Sequence, residues 1–107
     1  MNLTDTQQEN LVNLLHYDLQ KMSVALDPFL AELIKTAIER IEREGVVLDA
    51  ERADDRSMIR EYAAWLYRTR DQDADKSGMP RAVRLALNNR KVKRIAGIEE
   101  GGEDGAP

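Results

Sequence analysis

The chain predicts a small all-α bundle of about four helices, and three observations carry that prediction. Apolar residues recur at a spacing of three and four along most of its length. Recognisable helix starts and stops separate those stretches. No segment alternates apolar and polar residues long enough for a convincing strand, the triplet Val46-Val47-Leu48 being the nearest approach. With 107 residues, 42% of them apolar and 34% charged, the chain has the length of one domain and is too apolar for a disordered polymer.

The first helix is expected from about Asp5 to His16. Thr4 is placed as its N-cap, and Gln7 completes a capping-box spacing. Leu11, Leu14 and Leu15 supply its apolar face. Tyr17 to Asp27 carries no clean period. The second helix is expected from about Pro28 to Glu44, with Asp27 as N-cap and Pro28 in the first turn, where a missing N–H costs nothing. Its inward stripe is Leu30, Leu33, Ile34, Ala37, Ile38 and Ile41. Lys35, Glu39 and Arg43 are spaced for i,i+4 pairing, and Gly45 is the terminator.

The third helix is expected from about Asp54 to Arg70, capped by Asp54 or Asp55. Met58, Ile59, Tyr62, Trp65, Leu66 and Thr69 face inward. An exposed polar loop, Asp71 to Gly78, follows. Pro80 opens the fourth helix, with Val83, Ala86 and Leu87 inward, and this helix is expected to fray over Asn88 to Arg94. Residues 1–96 form the domain. Residues 97–107, rich in Gly and acid, are expected to be a disordered tail.

Several classes of function find no support. There is no cysteine, so thiolate catalysis, disulfides and zinc–thiolate sites are excluded. The single histidine, His16, has no nucleophile motif beside it and is read as a capping or surface residue. Asp71, Asp73 and Asp75 imitate the start of a calcium loop. Lys76 then stands where that loop needs glycine, and no glutamate closes it, so a solvated loop is the better reading. No glycine-rich phosphate loop, membrane-length apolar run or signal peptide is present. No catalytic residue, metal or cofactor is assigned, and the chain is read as a non-enzyme.

Charge is partitioned along the chain. Residues 1–80 hold 16 acids and 10 bases. Residues 81–94 hold six bases (Arg81, Arg84, Arg90, Lys91, Lys93 and Arg94) and no acid, and residues 95–107 hold four acids and no base. Such a run suits docking to an acidic protein surface or to nucleic-acid phosphate. A helix-turn-helix is disfavoured, because about eight residues separate the third and fourth helices where that motif allows 3–4. Tyr62 and Trp65 share the apolar face of the third helix. Tyr67 is placed on another face, where Tyr67, Arg68 and Arg70 are candidates for a subunit interface.

Taken in order, these segments resemble a known family. They are the opening helix ending near Leu14-Leu15, the amphipathic run from Asp27 to Glu42 (DPFLAELIKTAIERIE), the run Arg60 to Arg70 (REYAAWLYRTR), and the closing segment Met79 to Arg90 (MPRAVRLALNNR). Together, over about residues 5–94, they resemble the small head-tail connector (adaptor) proteins of long-tailed phages and prophages, also described as possible DNA-packaging proteins. The match is one of pattern and order, and the stretch from Tyr17 to Asp27 is longer than the usual pattern.

The resemblance implies a virion neck protein, found in the host cytoplasm during assembly. It would form a homo-oligomeric ring of about 12 copies beneath the portal protein, closed by head-to-tail side faces. It would extend the DNA channel without reading sequence and offer a platform to a neck or tail protein, with no membrane partner. An acidic wall over residues 1–80 would let the genome slide, and the basic run 81–94 would grip the portal. The competing expectation is a small helical nucleic-acid-binding regulator using the same run. A gene transfer agent or tail-like particle would use the same part.

Overall fold

The computed structural model describes residues 1–70 and 78–95, with Arg94 and Ile95 described through their backbone alone. The loop 71–77, the tail 96–107, and with them Asp71, Asp73, Asp75 and the side chain of Arg94, lie outside the described residues. Four α-helices form in order: α1 (Asp5–Leu19), α2 (Asp27–Arg43), α3 (Ala53–Arg68) and α4 (Arg81–Ile95). A short 3-10 helix, Val24–Leu26, leads into α2, and no strand occurs among the described residues. No described helix is long and apolar enough to cross a membrane.

Helix α1 begins as its cap residues dictate. The Thr4 hydroxyl accepts the Gln7 N–H at 3.1 Å, and the Gln7 side chain accepts the Thr4 N–H at 3.0 Å. The helix runs one turn beyond the expected His16. It stops at Gln20 in the left-handed conformation (φ 58°), where the Lys21 N–H reaches the His16 carbonyl and the Gln20 N–H reaches that of Tyr17. This closing turn usually takes glycine; a residue with a Cβ bears about 1–2 kcal/mol of strain there.

The start of α2 differs from expectation. Asp27 is already inside the helix, and Leu26 holds the cap position without a side-chain bond. The chain enters α2 directly from the 3-10 turn, so no extended residue is left to cap it. Ser23 caps that turn instead, accepting the Ala25 N–H at 3.2 Å, and the Asp27 carboxylate is directed elsewhere. At the other end Gly45 takes φ 89° and terminates the helix as expected. Lys35 pairs with Glu32 at 3.5 Å rather than with Glu39, both groups being exposed and the pair weak.

Helix α3 starts at Ala53 and is capped by neither aspartate. Asp55 is completely buried and turns back to accept the Asp49 N–H at 2.7 Å. Asp49 accepts the Glu51 N–H, and Arg56 donates to the Ala50 carbonyl, so residues 46–52 fold as a turn around the head of α3. Val46 and Leu48 are buried beneath it while Val47 is exposed. The alternation of that triplet is real, but no neighbouring strand pairs with it.

Helices α1, α2 and α3 pack on one another, and α4 lies against α3. The core holds Leu11, Leu15, Leu30, Ile34, Ile38, Ile41, Ile59, Tyr62, Leu66, Val83 and Leu87, largely the expected set. Of the positions expected inward, Leu33, Trp65, Thr69 and Ala86 are only partly buried at its edge, and Leu14, on the solvent side of α1, is exposed. Tyr67, expected outside, is buried instead. It tilts against Phe29 at 6.1 Å, because α2 packs over that side of α3 and leaves Trp65 nearer solvent. Tyr62 meets Trp65 edge-on at 5.8 Å and satisfies its hydroxyl on the Gly78 carbonyl at 3.0 Å.

Candidate functional site

Helix α4 carries the basic run and continues through it to Ile95, past the stretch expected to fray. Val83 and Leu87, four apart, are its buried anchors. Residues one helical turn around from that stripe stand close to the bundle's acids, and three of the six expected docking cations are held there. Arg84 and Lys91 both reach Glu44, at 3.1 and 2.9 Å. Arg90, nearly buried, donates to the fully buried Asp55. These contacts hold the second half of α4, which the sequence alone gives no reason to keep helical.

The electrostatics follow from this geometry. Hydrogen bonds from Lys91 first and Arg84 second pull the Glu44 carboxyl below its ordinary 4.5, against the opposing effect of burial. Asp55 is fully shielded from bulk solvent. It relies on Arg90 and the Asp49 amide, so one buried carboxylate joins α3, α4 and the 46–52 turn.

What remains for a partner is the outer face of α4. Arg81 and Lys93 are exposed there, together with Leu85 (52% exposed) and Val92 (63% exposed), seven residues apart. Arg81, Leu85 and Val92 thus share the side of the helix turned away from the buried stripe, and Lys93, the residue after Val92, stands on its flank. Beside it, a groove between α3 and α4 is floored by Met58, Val83 and Ala86 and edged by Glu61 and Lys93.

The proposed interface trio sits differently from its expected arrangement. Tyr67 is buried; the Arg70 guanidinium lies 3.9 Å over its ring and donates to its carbonyl. Arg68, though exposed, donates to the Asp18 carbonyl of α1 at 3.2 Å. Beside it Arg60 grips the Asp18 carboxylate with two hydrogen bonds of 3.0 and 2.8 Å, which raise the guanidinium pKa further. This end of α3 therefore ties α1 and α2 to the bundle. Helical spacing missed Tyr67 because both sides of α3 are covered, so a single apolar stripe does not describe it.

Two polar residues missed in the sequence are central to the structure. Asp55 reads as a helix cap, and His16 as a surface group, yet both are buried. A hint for Asp55 lay in the doubled Asp54-Asp55, since only one of two neighbours can cap. For His16 the sequence offered no signal beyond its place near a helix end. No family model matches the chain, nor does any curated protein or any solved structure with which it was compared.

Proposed function

We propose that the chain is a structural assembly subunit of the head-tail connector type, docking on a portal protein through the outer face of α4. The observation that carries this reading is the composition of that face. Exposed Leu85 and Val92 stand among exposed Arg81 and Lys93, while Arg84, Arg90 and Lys91 are neutralised from within. A mixed apolar and basic surface suits a protein partner with an acidic rim. A phosphate-binding surface gains most from freely available cations. Of the described bases in the run, only Arg81 and Lys93 stand without an acid of the chain's own. The order of segments over residues 5–94 gives the more specific connector reading, and head-to-tail contact between copies would close the ring.

The internal pairs also decide how to test it. Reversing Arg90 or Lys91 would disturb the fold, so the variant of choice is Arg81→Glu with Lys93→Glu. Light scattering on the full chain, alone and mixed with the portal protein of the same genome, reads assembly directly. A ring, or a monomer that assembles only on the portal, is expected from the unmodified chain. The double variant should remain folded and lose portal binding at least tenfold. A monomer that ignores the portal and binds DNA with a steep salt dependence would overturn the reading in favour of a nucleic-acid-binding regulator.

A further inference from the structure

The corner between α1 and α2 holds a buried histidine whose two ring nitrogens both face acceptors. His16 is 5% exposed. Its Nε2 lies 2.6 Å from a carboxylate oxygen of Asp27, and its Nδ1 meets the carbonyl oxygen of Lys21. Neither oxygen can donate. A neutral imidazole has one N–H and would leave one nitrogen lone pair pointed at an oxygen. Only the imidazolium satisfies both contacts.

We propose that His16 is a proton-dependent latch that fixes residues 17–27 in their observed path. The protonated ring joins the last turn of α1 to the first turn of α2 and to the turn between them. Its position in the last turn of α1 favours a cation as well, because helix carbonyls point toward it. Losing the proton removes one of the two bonds while the ring stays enclosed.

The neighbouring charges agree with this assignment. On its own helix the nearest charged residue in sequence is Asp18, whose carboxylate is taken by Arg60 of α3 and whose carbonyl is taken by Arg68 of α3. The turn contributes Lys21 through its carbonyl alone. From α2 the facing group is Asp27. Tyr17, next to His16 on α1, is exposed, and Tyr67 of α3 is packed on Phe29 of α2. The bond to Asp27 first, and the bond to the Lys21 carbonyl second, raise the His16 pKa above its ordinary 6.5, outweighing burial.

The sign of the effect follows. A raised folded-state pKa means the latch contributes fully below pH 6.5, its value in the unfolded chain, and is lost as pH rises through the folded-state value. The latched segment carries Tyr17, Met22 and Val24, all well exposed, so protonation governs how three apolar side chains are presented.

The chain has one histidine, so its ring resonances need no assignment. Ring 15N and 13C shifts of the intact protein are followed from pH 5 to pH 9, with amide exchange of residues 20–27 recorded alongside. At pH 6 both ring nitrogens should be protonated, the midpoint should lie above 6.5, and the protection factors of residues 20–27, their exchange rates corrected for the intrinsic rate at each pH, should fall once it is passed. Asp27→Asn should move the midpoint down in a chain that keeps its fold. His16→Gln should remove the pH dependence of those protection factors. A midpoint at or below 6.5, a single protonated nitrogen at pH 6, or a midpoint unmoved by Asp27→Asn would each overturn the proposal. Should His16→Gln fail to fold, the titration and the Asp27→Asn shift decide alone.

Discussion

Buried Asp55 joins three parts of the structure through one side chain: α3, α4 and the 46–52 turn. An ionised group with no solvent exposure is tolerable only while its partners stay in place, here the Asp49 amide and Arg90. Removing the carboxylate takes from the Asp49 amide its acceptor and from Arg90, whose side chain is only 12% exposed, its bond to α3. Asp55→Ala is therefore expected to cost about 3–5 kcal/mol in urea unfolding. A loss under about 1 kcal/mol would mean that water reaches Arg90 and that the pair is not structural. The same reasoning explains why a charge-reversal test of portal docking must spare Arg90.

At the scale of elements, α4 is the helix held in the most mixed way. Two apolar anchors, Val83 and Leu87, are buried, Ala86 packs at the edge of the core, and three ionic contacts complete the attachment. Glu44, just past the end of α2, receives two of them. Its lowered pKa makes a directional prediction. Stability from this carboxylate is complete above pH 4.5 and is lost as pH falls through its lower folded-state value. Glu44→Gln should thus be less stable than the unmodified chain near pH 7, and the gap in urea midpoints should close progressively below pH 4.5. A constant gap down to pH 3 would show that Glu44 acts through packing, not charge.

Across the whole molecule, α1, α2 and α3 form a mutually packed unit and α4 is laid on one side of it. Local opening requires the loss of whatever an element buries, so the elements should differ in protection. Hydrogen exchange should be slowest in α2 and α3, which carry Leu30, Ile34, Ile41, Ile59 and Tyr62 at zero exposure, and faster in α4. Uniform protection over all four helices would show that the ionic contacts of α4 match apolar packing in strength. A helix attached in this way suits a docking element, because its outer face can adjust to a partner while the three-helix unit stays intact.

The helices themselves were legible in the sequence because their signals are local. The Thr4–Gln7 capping box, Gly45, Pro80 and the Leu30–Ile41 stripe act within a turn or two of chain, and each holds in the structure. The basic run was legible as a run, and within it Arg81 and Lys93 are exposed. The roles of the polar residues were not legible. Arg84 and Lys91 meet Glu44 across 40 and 47 residues of chain, Arg90 meets Asp55 across 35, and Arg60 meets Asp18 across 42. Asp27 and His16 were misread for the same reason, each being claimed by the other rather than by its own helix end. Helix formation depends on near neighbours and is encoded by residue spacing. Which charges are neutralised, which tyrosine is covered and whether the histidine is enclosed beside a carboxylate depend on surfaces brought together only when the helices pack, and so tertiary structure alone decided them.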